Sequence, residues 1–195
     1  MQALAAGTPL ILPDVERSKE MHGLIRQARA LSEREFVNRF YLRDIRGDKH
    51  LALLVDSARK GALGYCYYQL PPEGFLWVEQ VAVLESCRGK GFGRLLMQWA
   101  VEQAQKLGRK AVRVSALASS VPFYRAIGFE DFPLGRSFER YAERVKRDRA
   151  SGGFEEEGWP MHRSLVGGKV DTSGDVFYPC EWVGVAENPA SEDSC

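Results

Sequence analysis

The sequence predicts a mixed α/β (α+β) fold in which one sheet is flanked by helices. Residues 50–84 contain three β-rich runs, and from Phe92 onward apolar residues recur every three or four positions, which is typical of a helix. Strand-like and helical runs then alternate over 110–149. Strands that follow helices at this spacing are typical of a single sheet with helices packed on it. The 195 residues are enough for one such domain with a tail.

The N-terminal half predicts helices followed by three strands. Segment 14–44 has apolar residues spaced by three and four, which indicates one or two helices, with Asp14 as a candidate N-cap. The runs "HLALLVD" (50–56) and "ALGYCYYQL" (62–70) flank the polar turn "SARKG" and predict an antiparallel hairpin. The third strand, "FLWVEQVAVL" (75–84), carries Glu79 in its apolar middle, which is unfavourable unless a site needs the charge.

The second half predicts helices and strands in alternation. The helix from Phe92 ends at Gly108, where a C-terminal cap belongs. The remaining predicted elements are a strand at 110–117, a short helix at 119–127, a helix at 137–149 and a last strand at 159–166. The segment 167–195 is rich in Gly, Ser and acidic residues, which predicts a partly disordered C-terminal extension.

Composition excludes several classes of protein. Lys and Arg total 27 against 26 Asp and Glu, so the net charge of +1 gives no reason to expect a nucleic-acid partner. The four cysteines show neither a CxxC pair nor a His at zinc-ligand spacing, which argues against a metal site and a disulfide framework. No run approaches the roughly 18 apolar residues of a membrane span, and the N-terminal stretch "MQALAAGTPLILPDVER" lacks a basic leader. A soluble cytoplasmic protein without a membrane partner is expected.

Three alternating glycines mark a candidate anion site. Gly89, Gly91 and Gly93 stand between a strand and a leucine-rich helix, where bare backbone N–H groups attract phosphate. Seven basic residues against two acidic ones lie between Leu84 and Ser115, as a polyanionic small molecule would require. The spacing fits neither a P-loop, which needs Ser or Thr after Gly-Lys, nor the G-x-G-x-x-G dinucleotide fingerprint.

Two signatures resemble those of the GNAT superfamily of acyl-CoA-dependent N-acyltransferases. "RGKGFG" (88–93) resembles the family's Arg/Gln-x-x-Gly-x-Gly/Ala loop, and "PFYRAIGFE" (122–130) resembles its second signature. "FEEEGWPMHRSL" (154–165) is similar to the closing strand of one bacterial branch. The resemblance covers 45–133 and 154–165. It implies a mostly antiparallel central sheet whose central strands splay apart, with 1–166 as the acetyltransferase domain and a helical insertion at about 135–150.

The resemblance implies that acetyl-CoA is the cofactor. The pyrophosphate would bind the backbone N–H groups at the start of the helix, and the pantetheine arm would pair with the strand that ends at 81–83. The residues implied to bind the cofactor are Val81, Ala82, Val83, Arg88, Gly89, Lys90, Gly91, Phe92, Gly93, Ser119, Ser120 and Phe123. One departure concerns Leu117, which stands where many relatives carry Asn or Gln, and Ser119 or Ser120 are candidates to replace that contact.

The resemblance also implies the catalytic pair. Glu79 lies where many relatives hold a glutamate that acts as a base through a water, and the hydroxyl of Tyr124 corresponds to the family's general acid. Two alternatives stay open: a structural ion pair of Glu79 with a neighbouring Lys or Arg, and His162 as a second candidate base. Arg140, Arg144 and Arg147 form a basic face of the predicted helix at 137–149 that would suit an acceptor with a carboxylate or phosphate.

The expected function is therefore transfer of an acetyl group from acetyl-CoA to a primary amine by direct attack in a ternary complex. The alternative is a catalytically silent acyl-CoA-binding module on the same fold. The expected partners are acetyl-CoA and an amine acceptor, and the expected state is a monomer or a homodimer.

Overall fold

A seven-stranded sheet forms the centre of the protein. The computed structural model describes residues 8–15, 21–36, 45, 47–133, 135–152 and 158–165, so the predicted extension at 167–195 lies outside the described residues. The strands are β1 (Leu10–Leu12), β2 (Lys49–Val55), β3 (Ala62–Gln69), β4 (Phe75–Val83), β5 (Ala111–Ala116), β6 (Glu130–Asp131) and β7 (Trp159–Ser164). Their order in the sheet is β1-β2-β3-β4-β5-β7-β6. The predicted mixed α/β fold with a mostly antiparallel sheet is confirmed.

The helices flank this sheet. They are α1 (His22–Glu35), α2 (Phe92–Lys106), α3 (Val121–Ala126) and α4 (Phe138–Ala150), with short 3-10 turns at Glu85–Cys87 and Ala118–Ser120. Helix α4 coincides with the predicted insertion helix, and the Ser137 side chain caps it by accepting from the Arg140 N–H. Among the helices of the described ranges, none is long and apolar enough to cross a bilayer.

The predicted role of Asp14 as a helix N-cap is wrong. Helix α1 begins only at His22, with Met21 at the cap position, while Asp14 follows β1 with a φ of 45°. Its carboxylate accepts a hydrogen bond from the Tyr68 hydroxyl and lies 3.3 Å from His50 Nδ1. A short polar side chain tolerates the left-handed region, so Asp14 turns the chain after a strand instead of starting a helix.

Strands β2 and β3 are buried on both faces, which explains their nearly continuous apolar runs. Helix α2 packs on one face against alternate residues such as Leu54 and Tyr68. Helix α1 packs on the opposite face against Leu53 and Tyr67. Since side chains alternate across a strand, each helix covers every second residue. The central strands of the sheet thus lie between the two helices.

Strands β4 and β5 form the parallel pair of the sheet. Helix α2 makes the crossover between them, as a parallel connection requires. The other strand pairs described are antiparallel. This arrangement brings the end of β4, the start of α2 and the end of β5 to the same edge of the sheet.

Candidate active site

A cavity opens where β4 and β5 part. Their pairing runs from Phe75 opposite Ala111 to Val78 opposite Val114, whereas β4 continues to Val83 and β5 to Ala116. The backbone edge of β4 beyond Val78 is therefore not covered by β5. A cavity of about 360 Å³ lies at this divergence. The residues of the predicted site that line it are Glu79, Val81, Ala82, Val83, Arg88, Ser119, Ser120 and Tyr124.

Glu79 occupies a β-bulge in β4. The register between β3 and β4 passes from Tyr67 opposite Gln80 to Tyr68 opposite Val78, so Glu79 is the extra residue. A bulge bends its strand and redirects a side chain. The Glu79 carboxylate is partly buried and accepts a hydrogen bond from Gln69 Nε2. The charge that the sequence places in the middle of an apolar strand thus lies in the cavity wall, oriented by a neutral donor.

Tyr124 of α3 lines the cavity and packs among aromatic side chains. Its ring packs edge-on against Phe123 and Phe129, with centroids 5.1 and 5.5 Å away. Only 8% of the residue is exposed. Burial raises the pKa of its hydroxyl well above the usual range, and the buried Cys66 thiol adds to the effect. The hydroxyl is protonated at neutral pH, as that of any tyrosine is, and so has a proton to donate.

The glycine loop presents backbone N–H groups at the start of α2. Gly89 and Gly91 have φ values of 75° and 82°, which side chains rarely adopt, and Gly91 is the N-cap of the helix. Within the described loop and helix, no side chain caps this terminus and the first turn holds no acidic residue. An anion is therefore the complementary guest for these N–H groups. A Cβ on Gly93 would lie 3.5 Å from the Phe123 ring, so the two signatures pack together.

Arg88 contacts both strand β4 and helix α1. Its Nε donates to the Val83 carbonyl at 3.3 Å, and its Nη2 lies 2.6 Å from Glu35 Oε2 at the end of α1. Lys90, Phe92 and the three glycines follow it outside the cavity wall, on the path into α2. Arg88 thus connects the cavity with the N-terminus of α2, which no side chain caps.

Several lining residues are absent from the sequence-based prediction. They are Glu35 and Phe36 from the end of α1, Val78 and Gln80 from β4, and Ser115 and Leu117 from the end of β5. Leu117 contributes an apolar side chain where many relatives carry an amide, and Ser115, Ser119 and Ser120 line the same cavity. Since Glu35 lies over forty residues from the nearest motif, the local sequence carries no signal for it.

His162, the alternative base, lies on β7 opposite Arg113 and Glu130. Its ring packs edge-on against Phe132, with centroids 5.3 Å apart. It is not among the described residues that line the cavity. The geometry therefore favours Glu79 over His162 as the base for this cavity.

Helix α4 packs beside the cavity through aromatic side chains. Phe138 and Tyr141 contact Trp159, with ring centroids 5.4 and 5.2 Å apart. Val145 is buried in the same cluster. The predicted arginine face is exposed, and none of the residues named in it belongs to the described lining of the cavity.

Known structures share this fold at low sequence identity. A GNAT-family acetyltransferase from Staphylococcus aureus Mu50 gives a TM-score of 0.58 with 14% identity, over 82% of this chain and 100% of that one. The ribosomal-protein-S18-alanine N-acetyltransferase from Escherichia coli gives 0.58 and 13%, over 84% and 98%. N-acetylglutamate synthase from Neisseria gonorrhoeae, solved with coenzyme A and N-acetyl-glutamate, gives 0.57 and 16%, over 83% and 36%.

The sequence itself matches the model of one family. The description of that model is the acetyltransferase (GNAT) family, and it matches residues 19–129, more than half of the chain. The matched range contains the glycine loop, the bulged strand β4 and the Phe-Tyr signature of α3. On the combined sequence match and fold, the chain belongs to the acetyltransferase (GNAT) family.

Proposed function

We propose that this protein is an acetyl-CoA-dependent N-acetyltransferase that acts on a primary amine of a small molecule or a peptide, by direct attack in a ternary complex. The observation that carries the proposal is the cavity between β4 and β5. A carboxylate, a protonated phenol, an uncovered strand edge and an arginine beside a helix N-terminus meet there. Family membership supports an acyltransferase, and the coenzyme A in the Neisseria neighbour supports an acyl-CoA donor.

The residues present fit acetyl-CoA. The N–H groups of Gly89–Gly93 and the Arg88 guanidinium would hold the pyrophosphate, because that terminus of α2 is uncapped and basic. The uncovered edge of Val81–Val83 would pair with the pantetheine amides. Ser119 and Ser120 supply hydroxyls where Leu117 offers none.

Glu79 is the proposed base. An alkylamine has a pKa of about 10 and arrives protonated, so it needs a proton acceptor before it can attack. The hydrogen bond from Gln69 holds the Glu79 carboxylate in the cavity wall, from which it would receive the amine proton through a water.

Tyr124 is the proposed acid. Bound acetyl-CoA would supply the thioester: the C–S bond would break as the new C–N bond forms, and the thiolate would leave with the electron pair. Tyr124 would give its proton to that sulfur, and the second proton lost by the amine nitrogen would return to the Tyr124 oxygen through water. A backbone N–H at the uncovered edge of β4 would stabilise charge on the carbonyl oxygen, an effect of about 3 kcal/mol for one donor.

Ligand-induced thermal stabilisation tests cofactor binding. Acetyl-CoA is expected to raise the melting temperature of the wild-type protein, and Gly91→Glu is expected to abolish that rise because a carboxylate would occupy the phosphate position. Gly108→Glu is the matched control. Gly108 lies at the other end of α2 with a φ of 64°, and at both positions a Cβ would enter open space.

Thiol release from acetyl-CoA with a panel of amines and peptides tests the reaction. A stabilised protein that turns over none of them would favour the silent acyl-CoA-binding module. An equal rise in melting temperature for Gly91→Glu and Gly108→Glu would remove the glycine loop from the proposal.

A further inference from the structure

An ion pair links the end of α1 to the cofactor-binding loop across the cavity. Glu35 Oε2 lies 2.6 Å from Arg88 Nη2, and the two side chains are 29% and 50% exposed. Both residues line the cavity. The same arginine is the proposed ligand of the pyrophosphate. Glu35 and the cofactor therefore compete for one guanidinium.

The end of α1 is fixed over the centre of β4. Ser32, one turn before Glu35, donates from its hydroxyl to Gln80 Oε1 at 2.9 Å, and the Tyr65 hydroxyl donates to the same oxygen at 2.9 Å. Gln80 is buried and is the neighbour of Glu79 in the bulge. Besides burial, the Glu35 charge contributes to raising the pKa of Tyr65. Glu35 thus stays near the bulge through contacts that do not involve Arg88.

The cavity lining becomes more negative when the Arg88 guanidinium turns away from it. Among the described residues that line it, the charged ones are Glu35, Glu79 and Arg88. A diphosphate offers a guanidinium two negative oxygens in matching geometry, whereas an ion pair between partly exposed groups contributes little to stability. When the guanidinium turns to the cofactor, two carboxylates face the remaining space.

Resting on the proposed function, we propose that Glu35 is an acceptor-binding residue that the cofactor releases. Arg88 passes from Glu35 to the pyrophosphate, and the freed carboxylate binds a second cationic group of the acceptor while Glu79 serves the reacting amine. The acceptor is accordingly a dication, either a diamine or an amine beside a basic side chain. It binds after the acyl-CoA.

A double-mutant cycle on coenzyme A binding tests the exchange of Arg88 without any acceptor. By calorimetry, Glu35→Gln is expected to tighten coenzyme A binding about two- to fivefold, because the competitor is gone. Arg88→Gln is expected to weaken it about tenfold. In the Arg88→Gln background, Glu35→Gln is expected to change nothing. Glu33→Gln, the same charge change on α1 at a residue paired with Arg29, is the matched control.

Long-range repulsion between Glu35 and the cofactor phosphates predicts a different result of the double-mutant cycle. If Glu35 merely repels the phosphates, Glu35→Gln tightens binding equally with and without Arg88. That result, or no tightening at all, would overturn the exchange.

Binding of three amines of matched length tests the acceptor class without requiring turnover. Cadaverine carries a second ammonium, pentylamine a methyl group and δ-aminovalerate a carboxylate at the far end. In the presence of saturating coenzyme A, cadaverine is expected to bind about tenfold more tightly than the others. This preference is expected to vanish in Glu35→Gln, to persist in Glu33→Gln and to be lost without coenzyme A.

The remaining outcomes are distinguishable. Equal binding of the three amines, or binding of none, would overturn the assignment of Glu35, while tighter binding of δ-aminovalerate would instead support the arginines of α4. If the wild-type protein does not bind coenzyme A, the proposed function itself fails. If coenzyme A binds but Glu35→Gln leaves its affinity unchanged with and without Arg88, this inference alone fails.

Discussion

At the scale of single residues, Tyr124 has surroundings suited to one chemical task. Its ring packs against two phenylalanines, and its hydroxyl, protonated at neutral pH like that of any tyrosine, has its pKa raised further by burial. Tyr124→Phe keeps the ring and its packing and removes the proton donor. With an active acceptor, we expect kcat to fall about 100-fold with little change in acetyl-CoA binding. Steady-state kinetics and calorimetry together measure both quantities.

Tyr141→Phe is the control for this change. Tyr141 of α4 is also buried, but it packs against Trp159 of β7 and is not among the described residues that line the cavity. Its variant is expected to retain wild-type kcat. Full activity of Tyr124→Phe would mean that the hydroxyl has only a structural part.

Cavity residues that belong to a short sequence motif can be predicted from the sequence. Cavity residues that only the tertiary structure brings there cannot. Arg88, the glycine loop and Tyr124 fall in two short stretches that are informative together, because both resemble signatures of one family. Glu79 is conspicuous because a charge interrupts an apolar strand. Glu35 has no such signal, since an acidic residue near the end of an amphipathic helix usually faces solvent. Its position depends on the Ser32–Gln80 hydrogen bond, which joins residues 48 positions apart.

At the scale of elements, the close approach of β3 and β4 requires a glycine. A Cβ on Gly64 would lie 2.6 Å from the Ala82 carbonyl oxygen and 3.3 Å from Leu96 Cδ1 on α2. Gly64→Ala is therefore expected to lower the free energy of unfolding by about 1–3 kcal/mol, because backbone and helix must move apart. Urea denaturation followed by tryptophan fluorescence measures the change.

Gly23→Ala is the matched glycine substitution. Gly23 lies in the first turn of α1, and a Cβ there would meet nothing within 4 Å. This variant is expected to be neutral or more stable, by up to about 1 kcal/mol, because alanine favours helix. Equal destabilisation of the two variants would contradict the steric account of Gly64.

The long elements follow the sequence pattern and the short ones do not. Strands β2 to β5 and helix α2 lie within a residue or so of their predicted bounds, because each buries a face of matching period. Strands β1 and β6 have three and two residues, which is too short for a period to be recognised. Asp14 was misassigned for a related reason: its carboxylate finds a tertiary partner in Tyr68, which no local pattern indicates.

At the scale of the whole molecule, the buried tyrosines and thiol make the fold sensitive to alkali. Burial raises the pKa values of Tyr65, Tyr68 and Tyr124 above their ordinary 10.0 and that of Cys66 above its ordinary 9.0. Above those ordinary values the unfolded chain has lost protons that the folded protein keeps. The unfolded state then binds fewer protons, so stability falls as pH rises.

The expected profile has a definite onset. The free energy of unfolding should decline from about pH 9 upward, by as much as about 1.4 kcal/mol per pH unit for each group. Urea denaturation over about pH 8 to 10.5 measures it. Tyr124→Phe should make the decline less steep, since one of the groups is removed. A free energy that stays level through pH 10 would contradict the burial of these hydroxyls.

The parting of β4 from β5 also has a consequence for how the protein is made. Strands β1 to β4 come from the first part of the chain, and β5 to β7 come from the second, with four residue pairs joining the two groups at β4 and β5. One wall of the cavity is synthesised before the other. Before Tyr124 has been synthesised, the nascent chain already contains Glu79 and the glycine loop but lacks the opposing wall. The site therefore belongs to neither portion of the polypeptide, and comes into existence only when the later strands dock on the earlier ones.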